Sequence, residues 1–330
     1  MLHILNGGST EATLAQTHIA GERFFFRDAL IDGPAPANTT ETEWRKLRAA
    51  HLSSAYGVAV EGCHLGLVRQ EEVLGSYLDH DEVVLWFEAD LFCQTNLLFV
   101  LDWFARRELQ KTQLSLICIG EFPGRPNFRG LGELSPDELA SLFEKRVTVN
   151  DDVLELAKTA WQAYCSSDPR AIEQLIVHDT SSLPFLQTAF QLHLERFPST
   201  RNGLGRIENR GLELVSKGLT RFVDLFPAFI EGEAGYGLGD AQMWNAMQRL
   251  TRAQQPLTRS TVDDVLAGSL TSDKIHATGY EITEAGRAVL DGAADYVELN
   301  GIDLWLGGVH LTDTEQIWRW DEQNGKLIVS

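Results

Sequence analysis

The sequence predicts an α/β protein: a Rossmann-like parallel sheet, then a helical region, then a winged-helix-like α+β domain. Three observations lead there. Short, continuously apolar runs at 2–6, 82–88 and 114–119 alternate with segments of helical spacing, the pattern of βαβ units whose sheet is covered on both faces. From Ser135 onward the pattern turns helical. Beyond Gly203 three helical segments precede a β-like pair. The expected division is 1–130, 131–198 and 199–330.

Each element has its own justification. The run 2–6 ends at Asn6-Gly7-Gly8-Ser9-Thr10, and helical spacing follows through Leu14 to Ile19. Ser9 or Thr10 is placed to cap that helix, with Glu11 in its first turn. Arg23-Phe24-Phe25-Phe26-Arg27-Asp28 has strong β propensity and stops at the turn-forming Asp32-Gly33-Pro34-Ala35-Pro36. Trp44, Leu47 and Ala50 predict a helix over 41–56. Residues 82–88 read as a buried strand, followed by a helix through Leu97, Leu98, Leu101 and Phe104. Residues 114–119 form the next strand, closed by Gly120 to Gly124. The strands at 2–6, 23–27, 82–88 and 114–119 are expected to be parallel neighbours.

Ser135, Pro136 and Glu138 form an N-cap, a first-turn proline and a capping box. Helices are expected at 136–144, 150–165, 169–176 and 183–196, the last capped by Asp179 to Ser182. Further helices fall near 205–217, 219–230 and 240–250. Residues 275–282 read as β-like, before a helix start at Thr283. The Trp- and Gly-rich stretch 301–320 is expected to form a closing hairpin or a cap over the core.

Composition narrows the function classes. The 330 residues are 44 % hydrophobic and carry a formal net charge of −19. That balance opposes broad affinity for phosphate backbones. Residues 197–330 hold 12 Lys and Arg against 19 Asp and Glu. Duplex DNA is therefore not an expected partner; a protein partner or a second copy is compatible. There is no apolar run of membrane-spanning length and no signal-peptide pattern, so no membrane association and a cytoplasmic location are expected. Cys63, Cys93, Cys118 and Cys165 are dispersed, without zinc spacing, which fits reduced thiols rather than a disulfide framework. No resident metal or cofactor is assigned.

In open parallel sheets ligands bind beyond the carboxyl ends of the strands. The chain places Asn6, Gly7, Gly8, Ser9 and Thr10 after the first strand and Arg27 and Asp28 after the second. Glu88, Asp90 and Gln94 follow the third, and Glu121 the fourth, with Arg125, Asn127 and Arg129 in the next loop. The glycine loop suits either an anion or a plain tight turn, and it is neither a dinucleotide fingerprint nor a P-loop. Glu88 and Asp90 suit Mg²⁺, a ribose or acid–base work, or else Asp90 simply caps the following helix. Arg27 and Asp28 suit an internal ion pair or an anion clamp. His178, His193 and the Trp residues at 244, 305, 318 and 320 read as packed or surface groups. No nucleophile signature is present, so catalytic residues are not assigned.

Three stretches carry a resemblance: His3-Ile4-Leu5-Asn6-Gly7-Gly8-Ser9; Phe26-Arg27-Asp28-Ala29-Leu30 with Gly33-Pro34; and Leu85-Trp86-Phe87-Glu88-Ala89-Asp90-Leu91-Phe92-Cys93-Gln94. Together they resemble a bacterial family known as domain of unknown function 1835, over about the first 130 residues. Pro198 to Arg206 looks like its longer members, which carry a helical C-terminal part. Here the first loop lacks the family's aspartate, and Ala89 and Cys93 stand where relatives show polar residues. The resemblance implies the fold and the place of the site, and no reaction.

The expected function is binding of a phosphorylated or nucleotide-like small molecule at the carboxyl edge of the sheet, with transferase or hydrolase chemistry open. Two alternatives stand beside it. One is a ligand-responsive regulator whose winged-helix-like part contacts protein or DNA. The other is a structural interaction module.

Overall fold

The computed structural model describes residues 1–26, 28–126, 128–261, 271–313 and 316–330. Arg27 and Asn127 therefore lie outside the described residues. Strand β1 (Leu2–Leu5) leads into helix α1 (Gly8–Leu14), β2 (Glu22–Phe25) and the two-residue β3 (Gly33–Pro34). Gly7, not Ser9 or Thr10, is the N-cap of α1, so those two side chains sit inside its first turn. Helix α2 (Glu41–Tyr56) opens on a reciprocal capping box between Thr40 and Glu43. Helix α3 (Val60–Gly75) packs on α2 and has no counterpart among the elements expected from sequence.

Strand β4 (Glu82–Glu88), helix α4 (Leu91–Ala105) and β5 (Gln113–Ile119) come next, as expected. The α5 cap is the Ser135–Glu138 box, and α5 itself spans Pro136–Phe143. A short β6 (Val147–Thr148) precedes α6 (Asp151–Tyr164), α7 (Arg170–Ile176) and α8 (Leu186–Leu194). The remainder holds α9 (Arg206–Ser216), α10 (Phe222–Glu233), α11 (Asp240–Arg252), β7 (Thr258–Ser260), α12 (Ser272–Ala277) and β8 (Tyr280–Ile282). It ends with α13 (Glu284–Leu290), α14 (Tyr296–Asn300), β9 (Asp303–Gly307), β10 (Val309–Thr312), β11 (Trp318–Asp321) and β12 (Lys326–Val329).

The fold is mixed α/β on a five-stranded, mostly parallel sheet in the order β2-β1-β4-β5-β6. The four expected strands are parallel neighbours, and β6 adds an antiparallel edge. Pleating divides β4 between two cores. Val83, Leu85 and Phe87 face the helices α4, α6 and α8. Val84 and Trp86 face the layer of α1 and α5. Each fully buried side chain of this size contributes about 1.5–3 kcal/mol relative to exposure, which fixes the register of both faces.

Helices α9 to α14 surround a separate core that includes Leu212, Phe229, Met243, Met247, Tyr280 and Val289. There β7 and β8 pair antiparallel. One expectation is corrected here. Residues 272–277, which overlap the β-like stretch, are helical, because Thr271 caps them by accepting a bond from Lys274 N; only 280–282 is strand. The Trp- and Gly-rich segment forms the β9–β10 hairpin, and β9 pairs in parallel with β3, Gly33 opposite Leu306.

Candidate functional site

The strand order reverses direction between β1 and β4, so the topological crevice lies where Asn6 and Glu88 leave the sheet. The side chains there bond mainly to one another. Asn6 Nδ2 donates to Cys93 Sγ at 2.8 Å, and the Cys93 thiol donates to Glu88 Oε2 at 2.8 Å. Glu88 Oε1 accepts from Leu131 N at 2.9 Å. Asp90 caps α4 by accepting from Cys93 N, the simpler of its two sequence readings. Gln94 turns back to the Glu88 carbonyl and to Cys118 Sγ.

Burial lifts both carboxyls above their ordinary range, and the neighbouring Asp90 charge adds to the effect on Glu88. The Cys93 thiol is pushed well up, and Cys118 up to about 12, again chiefly by burial. Glu88, Asp90 and Cys93 are close enough for one ion, with ligand atoms within 4.8 Å of one another. Their protons and bonds are nonetheless shared internally.

The crevice itself is filled by the chain. The turn 131–133 lies over the start of α1, and Gly132 packs so tightly on Ser9 that a side chain there would overlap the Ser9 hydroxyl. Thr10 is buried beneath it; Gly8, Ser9 and Glu121 are exposed and Gly7 half-buried. Asp28 is withdrawn. Its carboxylate meets the fully buried Arg48 at 2.5 Å, and among the described residues its link to the crevice is Asn96, whose Nδ2 bonds both Asn6 Oδ1 and the Asp28 carbonyl. Arg125 pairs with Glu138. Hence Asn6, Glu88, Asp90 and Gln94 do come together, and Ser9 meets the same 131–133 turn that Glu88 bonds, whereas the Asp28 carboxylate is turned away to Arg48.

An open cavity of about 620 Å³ lies elsewhere, between the α/β unit and the α9–α14 unit. Its walls are the loop at Asp32 and Gly33, the C-terminal half of α2, one face of α11, and β9. That volume is in the range of small-molecule sites. None of the described residues predicted for the sheet edge lines it.

The cavity floor is tightly organised. Arg196 donates to the Ile31 carbonyl at 2.7 Å and to Asp32 Oδ1 at 3.2 Å. Tyr56 bonds Asp32 Oδ2 at 3.1 Å and accepts from Gln242 Nε2 at 3.1 Å, while Asn245 Nδ2 reaches the Ala55 carbonyl at 2.9 Å. These last two bonds tie α11 to α2. Arg249 pairs with Glu208. The exposed Arg252 pairs with no carboxylate among the described residues and lies 5.7 Å over the Trp244 ring.

Two described residues of the lining leave a buried side-chain nitrogen without a hydrogen-bond partner, Gln248 and His51. The His51 ring lies against the Gly33 backbone, which only a glycine at φ +75° allows, and its buried Nε2 has no hydrogen-bond partner. Burial, helped by the Arg48 charge, lowers its pKa to about 4, so the imidazole is neutral at pH 7. Sequence reasoning missed this site; its one local signal was the Asp32-Gly33-Pro34 turn. No family model and no curated protein matches the chain.

Proposed function

We propose that the chain binds a polar small molecule of about nucleotide size in the cavity between its two units. The observation that carries this reading is the cavity itself, about 620 Å³ and lined by polar groups that include Asn245, Gln248 and Arg252. That volume with a few convergent polar groups is what small-molecule sites present. Arg252 supplies a cation for a phosphate or carboxylate, in keeping with the phosphorylated ligand expected from sequence. On the three motif stretches alone, we also place the chain with the domain-of-unknown-function 1835 family.

The regulator alternative gains one observation. Helices α9–α11 with the β7–β8 ribbon are winged-helix-like in order, and α11, which would be the recognition helix, lines the cavity and bonds α2. A ligand there bears on both units at once. In this alternative the target is a protein rather than duplex DNA, a reading supported by the bonds that Gln242 and Asn245 of α11 already make to α2.

A thermal-shift screen over nucleotides, sugar phosphates and organic acids tests the reading, since a ligand at 100 times its Kd adds about 2.7 kcal/mol of stability. Hydrogen exchange with the best compound should slow at 242–249 and 303–306. Arg252→Gln should reduce the shift without changing the apo protein. Protection confined to 6–10 and 88–94 would return the site to the sheet edge and refute the cavity.

A further inference from the structure

We infer that the cavity ligand carries a planar nitrogen heterocycle of the nucleobase class, stacked on Trp305. This inference rests on the cavity reading above and adds a ligand chemistry to it. The sheet β10-β9-β3 forms one wall, and in its register Trp305 stands directly opposite His310. The two rings are stacked, with centroids 4.2 Å apart and planes within 8°. His310 is held in turn by Asp303 Oδ1, 2.7 Å from its Nε2. One face of the indole is thus covered, and its orientation is fixed by a cross-strand partner with a carboxylate behind it. The ring borders the cavity and remains half-buried.

On the side of β9 away from β10 lies β3, where Gly33 contributes no side chain. The His51 ring fills the place of that missing side chain, so the room for a ligand lies over the indole itself, whose one ring partner among the described residues is His310 and which keeps part of its surface open at the cavity. A flat ring laid on that surface continues a stack in the order His310, Trp305, ligand. Every base has a π-face, so stacking on an immobilised aromatic ring gives affinity without fixing which base. Carboxylates at Asp32 and Asp303 suit the amino and ring N–H groups of a base, and Arg252 at the rim suits a phosphate.

The probes are the four common nucleoside 5′-monophosphates, their nucleosides, and ribose 5-phosphate, titrated into the full chain by fluorescence and calorimetry. At least one nucleotide and its nucleoside should bind and quench tryptophan emission, with ribose 5-phosphate weaker than both. Trp305→Ala should weaken that nucleotide about tenfold or more, while Trp305→Phe, which keeps an aromatic ring beside His310, stays within about threefold of wild type. Far-UV circular dichroism and unfolding of both variants show whether β9 survives, and the Phe variant keeps the comparison valid if the Ala variant unfolds. If ribose 5-phosphate binds as tightly as every nucleotide, or Trp305→Ala binds like wild type, the heterocycle inference is overturned while the cavity reading stands. If no probe binds but another class of compound protects 242–249 and 303–306, the inference again fails alone. If no compound of the wider screen protects those segments, both fail.

Discussion

Replacing Asp28 by alanine removes the carboxylate that neutralises Arg48 in the interior. Arg48 is 0 % and Asp28 2 % exposed, so water replaces nothing that is lost. The guanidinium uses its Nε and Nη2 on Asp28, and Nη1 and Nη2 also reach the carbonyls of Ala29, Asp32 and Pro34. Breaking a buried pair by deleting one partner costs about 3–5 kcal/mol, because a charge stays behind without compensation. With a urea slope of about 3 kcal/mol/M, the unfolding midpoint should fall by about 1–1.7 M. Arg48→Met should be more damaging still: it strands the carboxylate and three carbonyls, each buried acceptor costing about 1–3 kcal/mol. The double variant Asp28→Leu/Arg48→Met removes the charge problem and not the carbonyl one, so it should recover only part of the loss. Urea titration followed by tryptophan fluorescence measures all three. A midpoint shift below about 0.3 M for Asp28→Ala, or an Arg48→Met milder than Asp28→Ala, would refute the account.

Gly33→Ala combines a left-handed backbone with overlap on the His51 ring, so it should destabilise by more than the ~1 kcal/mol of a strained turn alone, read as a lowered Tm. His51 takes up a proton at about pH 4 when folded and near 6.5 when unfolded. The unfolded chain therefore binds more protons between those values, and stability falls as pH drops through that window. His51→Gln should flatten the slope in unfolding scans at pH 7, 6, 5 and 4. Glu88 has the opposite sign: its folded carboxyl holds the proton longer, so stability declines as pH rises above the ordinary carboxyl range, and Glu88→Gln should lessen that decline. Mobility-shift titrations of the full chain on duplex DNA at low salt should show no micromolar complex; salt-sensitive binding at that level would show that α11 is free of α2.

The sheet was legible because its strands announce themselves locally. Leu2 to Leu5, Val83 to Phe87 and Leu114 to Ile117 are nearly all apolar at consecutive positions, which only a doubly covered strand tolerates. Helix α3 was not, since Gly62 and Gly66 lower its helical propensity and most of residues 57–66 are exposed, so that its apolar stripe is confined to the second half, at Leu67, Val73 and Leu74. At 272–277 the cap residue Thr271 outweighed the β propensity of Ile275 and the residues after it. Of the residues named for the sheet edge, Asn6, Glu88 and Gln94 do lie together at the strand ends, because strand direction alone brings them there. Nothing local could show that residues 131–133 fill that crevice. The cavity is harder again: Asp32, His51, Asn245 and Trp305 meet through the pairing of Gly33 with Leu306, and no window of sequence contains both.

That pairing also sets an order of events in the cell. Leu306 leaves the ribosome 273 residues after Gly33. At about 5–20 residues per second, the nascent α/β unit waits about 14–55 s for the strand that completes its wall. Throughout that interval β3 keeps a free edge, and the cavity has no indole on its wall. The C-terminal hairpin is thus the closing stitch of the N-terminal half, and a chain cut between α14 and β9 would lose the binding wall together with its tail.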